Sequence, residues 1–198
     1  MKLIGLTGGP GCGKSAVLKI FSAFQGWRTF DADCVCRELY EEKNSRIFSA
    51  FRQRWGAKVF LPDDSADRKA IAGIVFSDDA ELQWLNSLMH PEIIARIESE
   101  IDGCACTDYI MIDIPLLFET GYRKKLHAAV CVWSSPEVQA ERLASRAWSP
   151  EHSAKRISSQ FSADKKLELA DFAIINNASL DSLKKQCEEL DTLIKSEI

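Results

Sequence analysis

The chain has 198 residues, 46% of them hydrophobic and 27% charged, with a formal net charge of −4. That length supports one sizeable core with room for an inserted subdomain, in a chain with the composition of a globular enzyme. The acidic balance argues against a large nucleic-acid surface, and no stretch reaches the ~18 apolar residues of a membrane span.

A glycine-rich loop begins at Gly8, which leaves no room for a signal peptide before it, so a cytoplasmic protein is expected. Seven cysteines are an odd number, and a chain of this size needs no disulfide staples. Cys34-Val-Cys36 and Cys104-Ala-Cys106 suggest metal at first sight. The first pair falls on an expected helix, however, where residues two apart do not share a face. Reduced, mostly buried thiols are the expectation.

Leu3 to Thr7 is an apolar run of strand length, as in a parallel strand buried on both faces. Lys14 to Phe24 carries Val17, Leu18, Phe21 and Phe24 at helical spacing and stops at Gly26. "WRTF" then makes a second strand that runs into Asp31-Ala32-Asp33. From about residue 34 to 105 the pattern is helical, with one stripe at Ile47, Phe48, Phe51 and Trp55 and another at Leu82, Leu85 and Met89. Asp78 and Glu81 have capping-box spacing, and Pro91 suggests a fresh helix start.

"YIMIDIP" and "AAVCVW" return to buried strands, and Ser135-Pro136 opens a helix bearing Arg142 and Arg146. Another helix is expected from Ser149-Pro150, a last strand at "FAII", and an amphipathic helix through Leu180, Leu183, Cys187, Leu190 and Ile194. Five short strands alternating with helices describe a doubly wound α/β core with one helical insert.

Gly8-x-x-x-x-Gly13-Lys14-Ser15 is a P-loop pattern in its proper setting, after a strand and opening a helix. Its glycines let successive N–H groups face a phosphate, and the helix N-terminus adds partial positive charge. Lys14 supplies a charge for the β/γ-phosphates and the Ser15 hydroxyl is a natural Mg²⁺ ligand. The guanine-reading Asn-Lys-x-Asp sequence of switch GTPases is absent.

Asp31 and Asp33 follow the second strand, at the sheet end that faces the ligand crevice. Asp33 suits a general base for an attacking hydroxyl, while either residue also suits a helix cap. Arg142 and Arg146 share a helix face and are followed by Lys155, Arg156, Lys165 and Lys166. They suit a lid that closes over phosphates, or equally a solvated face paired with Glu137 and Glu141. Asp113 ends its strand where it either orients Mg²⁺ through water or binds substrate. The five tryptophans suit packing better than a stacking platform.

"GLTGGPGCGKS", "FDADCVCRELY", "DRKAIAGIVFSD", "LNSLMHPEI", "IDIPLLFETG", "SPEVQAERLASR" and "LELADFAIINN" together resemble the dephospho-coenzyme A kinase family along nearly the whole chain. The resemblance implies a P-loop NTPase fold, a three-layer α/β/α domain with a five-stranded parallel sheet, a helical substrate-binding insert and a helical lid. It implies one domain over residues 1–198, with a core of about 1–33 and 107–198, an insert of about 34–106 and a lid of about 142–166.

It further implies transfer of the ATP γ-phosphoryl to the ribose 3′-hydroxyl of dephospho-coenzyme A with Mg²⁺. Gly8, Gly9, Gly11, Cys12, Gly13, Lys14, Ser15 and Ala16 would hold the ATP phosphates, with Ser15 on Mg²⁺. Asp33, Lys14 and Arg142 would be catalytic and Arg146 supporting. Arg68, His90 and Asp113, with Asp33, would meet the acceptor, and Asn176 and Asn177 the nucleotide base, with Asn177 the nucleotide contact.

The expected partners are therefore the small molecules ATP and dephospho-coenzyme A, with no nucleic acid and no membrane, in a monomer or weak homo-oligomer. Cys12 stands where the loop more often carries serine. A kinase of another small acceptor, such as a nucleoside monophosphate, and a nucleotide-dependent switch are the alternative readings.

Overall fold

The computed structural model describes residues 1–43, 45–102, 108–145, 157, 158 and 160–198. Five strands form one all-parallel sheet: β1 (Lys2–Thr7), β2 (Trp27–Asp31), β3 (Tyr109–Asp113), β4 (Ala128–Trp133) and β5 (Phe172–Ile175). Their spatial order is β2-β3-β1-β4-β5. The strand with the phosphate-loop pattern thus lies in the middle, where both faces are covered, and its apolar run reflects this. Register places Leu6 beside Asp113, and Asp113 beside Asp31, so both carboxylates fall on one face at the carboxyl end of the sheet.

The chain divides into two compact units, one of Met1–Asp31 with Ala105–Ile198 and one of Ala32–Cys104. In the first, α1 (Lys14–Phe21) and the C-terminal helix α8 (Leu180–Glu197) cover one sheet face. Val17, Leu18, Phe21, Leu183, Cys187, Leu190 and Ile194 pack there on Ile4, Leu6, Met111, Val130, Val132 and Ile174. On the opposite face Leu117 and Leu126 lie over Gly5, where an added Cβ would come within 2.4 Å of Leu126 Cδ1. Helices α6 (Pro136–Ala144) and α7 (Ala163–Leu169) belong to the same unit, and Ser135 caps α6 by accepting from the Val138 N–H.

The second unit consists of α2 (Ala32–Leu39), α3 (Arg46–Trp55), α4 (Arg68–Val75) and α5 (Asp79–Asp102). Phe51 is fully buried, and its ring meets Tyr40, Trp55 and Trp84 at centroid distances of 5.6, 5.2 and 6.4 Å. The tryptophans here do pack, as the sequence suggests.

Two local expectations change. Pro91 does not start a helix but lies inside α5. It removes one N–H from the ladder, yet Leu85, Met89 and Ile97 are buried on both sides of it, and this packing carries the helix through. Asp78 does cap α5, accepting from the Ala80 N–H at 2.8 Å. Glu81 does not complete a capping box; it binds Arg54 Nη2 at 2.9 Å and the Trp55 indole N–H at 2.8 Å. The expected helix at Ser149-Pro150 lies outside the described residues.

Candidate active site

The phosphate loop joins the end of β1 to the start of α1. Gly8 and Gly13 have φ of +145° and +97°, left-handed values that only glycine adopts without strain. Space requires glycine as well: a Cβ on Gly8 would stand 2.2 Å from the Val132 carbonyl oxygen, and one on Gly13 2.2 Å from Asn176 Nδ2. The Cys12 N–H closes a turn onto the Gly9 carbonyl at 3.2 Å. No acidic residue sits in the first turn of α1, so the positive end of the helix is left for an anion.

Lys14, half-buried, reaches back to the Gly8 carbonyl at 3.1 Å, and Ser15 is exposed on the first turn beside Ala16. The Cys12 side chain turns the other way, wholly buried in the core with Val17 and Leu18. It offers the loop its backbone rather than its thiol.

Arg142, partly buried on α6, reaches onto the loop. Its Nη1 lies 3.4 Å from both the Gly11 and Cys12 carbonyl oxygens, and its Nη2 3.4 Å from Asn176 Oδ1. This geometry departs from a solvated arginine paired with Glu137 or Glu141, and Glu137 is held below the usual carboxylate range by the Ser135 hydroxyl. Arg146, Trp148, Lys155 and Arg156 lie outside the described residues. Asn177 is exposed and accepts from the Ser135 N–H at 2.8 Å through Oδ1.

Asp31 ends β2 and Asp113, 5% exposed, ends β3 on the sheet face that α1 covers. Asp33 is exposed in the first turn of α2, two residues past the end of β2. In the helical unit, the guanidinium of Arg68 lies 5.8 Å from the centre of the Tyr40 ring. Burial, reinforced by Cys36, holds the Tyr40 hydroxyl far above its usual range, with Arg68 opposing. His90 is half-buried in α5, and desolvation lowers its pKa.

Mg²⁺ takes oxygen ligands and keeps much of its shell for phosphate and water. The Ser15 hydroxyl, exposed on the first turn of α1, is an oxygen donor of that type. Among the described residues no group of three or more His, Cys, Asp or Glu gathers as a metal cage. A divalent ion here would draw the rest of its shell from phosphate oxygens.

Sequence reasoning missed what Lys166 does. The sequence places it with the basic residues after Arg142, but it is wholly buried in α7. Its ammonium donates to the Pro115 carbonyl, to Gln160 Oε1 at 2.7 Å, and pairs with Glu119 Oε1 at 3.2 Å. Burial lowers its pKa while Glu119 opposes the shift. Thr7 Oγ1, at the end of β1, donates to the same Pro115 carbonyl at 3.3 Å. No local signal separates it from the exposed Lys165 beside it.

A profile of the family described as Dephospho-CoA kinase matches residues 2–182. A dephospho-CoA kinase of Arabidopsis thaliana is 39% identical over 196 residues, covering 96% of this chain and 82% of that protein. Among solved structures, a Thermus thermophilus protein superposes with a TM-score of 0.81 at 27% identity, covering 100% of this chain and 98% of the other. A dephospho-CoA kinase from Campylobacter jejuni superposes with a TM-score of 0.70 at 25% identity, covering 99% and 98%.

Proposed function

Because this chain belongs to the dephospho-CoA kinase family, we propose the division of labour by which its own residues carry out the family reaction. That reaction is ATP-dependent phosphorylation of the ribose 3′-hydroxyl of dephospho-coenzyme A, giving coenzyme A and ADP in the last step of coenzyme A biosynthesis. The fold is that of P-loop kinases.

The observation that carries the assignment is the convergence of Lys14 and Arg142 on the backbone of one glycine loop. Gly8, Gly9, Gly11, Cys12, Gly13 and Ala16 present the main chain to the ATP phosphates. Lys14 holds the β/γ-phosphates as a point charge, and Arg142, with Arg146 in support, stabilises the charge that develops on the transferring phosphoryl group. Asp33 accepts the proton of the attacking hydroxyl as it bonds to phosphorus. The Ser15 hydroxyl would hold Mg²⁺, whose positive charge would offset that of the phosphates.

The segment of about 34–106 then serves as the acceptor-binding insert, contributing Arg68 and His90 to dephospho-coenzyme A binding, with Asp33 and Asp113 as further substrate-binding residues. The segment of about 142–166 serves as the lid, and Asn177 contacts the nucleotide. The same reading makes the enzyme cytoplasmic, a monomer or weak homo-oligomer, with neither nucleic acid nor membrane as partner. No helix among the described residues is long and apolar enough to cross a membrane.

A coupled ADP assay against a panel of acceptors tests the assignment. Turnover should depend on dephospho-coenzyme A, and preference for a nucleotide lacking the pantetheine arm would overturn it. Asp33→Asn should lower kcat by roughly 10²- to 10⁴-fold while ATP binding persists. A variant that kept most of its rate would remove Asp33 as the base and leave positioning and electrostatics to carry the step.

A further inference from the structure

A phosphate loop turns its N–H groups toward the anion, so its carbonyls point away and need partners behind the loop. Here the Cys12 carbonyl has two. Arg142 Nη1 makes a long contact at 3.4 Å, and Asn176 Nδ2 donates a good hydrogen bond at 2.8 Å. The other end of the same amide, Oδ1, faces Arg142 Nη2 at 3.4 Å. Loop carbonyl, amide and guanidinium therefore close a small ring of contacts that ties Arg142 to the loop through Asn176.

Asn176 is itself held firmly. It directly follows β5, is 6% exposed, and its N–H continues the ladder onto the Trp133 carbonyl at 2.7 Å. Its amide also fills the space that a side chain on Gly13 would need. An asparagine that reads a base presents its amide to the ligand; this one has both amide ends committed to the protein.

We propose that Asn176 is a positioning residue that braces the phosphate loop from behind and orients Arg142, and that it does not read the nucleotide base. The inference rests on the phosphate-loop reading above, but its test separates the two. An amide that acts through the loop governs how tightly phosphate is held, whichever base the nucleotide carries and whichever acceptor follows.

The experiment compares equilibrium binding of ADP and of adenosine to wild type and to Asn176→Ala, alongside the ATP:GTP preference in the ADP assay. The expected result is ADP affinity reduced roughly 10- to 100-fold, as loss of a buried hydrogen-bond partner costs, with adenosine affinity and the ATP:GTP ratio unchanged. The combined Asn176→Ala/Arg142→Ala variant should lose less kcat/KM than the product of the two single losses, because the residues act as a unit.

Equal weakening of ADP and adenosine, a changed ATP:GTP ratio, or unchanged binding of both would overturn the proposal. Should the alanine variant fail to fold, Asn176→Asp repeats the test with nearly the same volume. It keeps the acceptor toward Arg142 and removes the donor to Cys12. A wild-type protein that binds ADP but makes none with dephospho-coenzyme A would refute the acceptor assignment and leave the bracing role standing.

Discussion

Among the described residues of the sheet unit, five that are polar or charged are buried, Thr7, Asp113, Ser134, Lys166 and Asn176, while every side chain described as buried in the helical unit is apolar or aromatic. Burying a polar group is costly unless its hydrogen bonds are met by a fixed partner. The loops that leave the strands supply such partners: Lys166 uses the carbonyl of Pro115, two residues past β3, and Asn176 that of Cys12, in the loop between β1 and α1. Helices satisfy their own backbone and offer few free carbonyls. The helical unit accordingly keeps its ion pairs outside, as with Arg46–Glu92 and Arg52–Asp64, and buries an aromatic cluster instead. The comparison teaches where chemistry can be held: precise polar placement follows the sheet ends, and the helices contribute shape and surface.

The largest expected effect breaks this contrast on the sheet side. Lys166→Met removes the ammonium and leaves the Glu119 carboxylate, whose side chain is 16% exposed, without a counter-charge and with only the Phe161 N–H on its Oε1. Loss of one partner of a buried pair costs roughly 3–5 kcal/mol, and the melting temperature should fall by about ten degrees. Adding Glu119→Gln should recover much of that loss, because the uncompensated charge is gone. If the double variant melted as low as the single one, hydrogen bonding to Pro115 and Gln160 would be the main contribution.

On the helical side the expected effect is smaller and of a different kind. Ile47→Val trims a side chain that is 1% exposed on α3. Deleting one buried methylene costs about 0.5–1.5 kcal/mol. Thermal melts should register it, while kcat at temperatures well below the transition should stay the same. A change in kcat without a change in melting would show that packing in this unit sets the chemistry, against the contrast drawn here.

The same contrast separates what the sequence reveals from what it hides. The phosphate loop, the helix start at Ser135 and the five apolar strand runs were legible because their causes are local: glycine spacing, a cap, a period of side chains. Asn176 and Lys166 were not legible in their roles. The first bonds a residue 164 positions away and the second one 51 positions away. Nothing in the surrounding residues marks a buried lysine from its exposed neighbour Lys165. Pro91 misled for the converse reason, since a strong local signal was overridden by burial of Leu85, Met89 and Ile97 along one helix.

The smallest effect concerns pH and tests whether the helical unit tolerates even one titrating group inside it. Burial disfavours the charged form of His90 and holds its pKa below the ordinary value of about 6.5. Below that value the unfolded chain binds a proton that the folded chain resists, so stability is fully present above it and declines as pH falls through it. His90→Gln lacks this proton. Melting temperatures followed from about pH 8 to pH 5.5 should therefore fall less steeply for the variant than for wild type, the two curves approaching one another on the acid side. Parallel curves would place the acid sensitivity elsewhere and would mean that His90 is solvated well enough to charge in the folded protein. Because the ring is half-buried, the difference should stay below the effect of the Ile47 methylene.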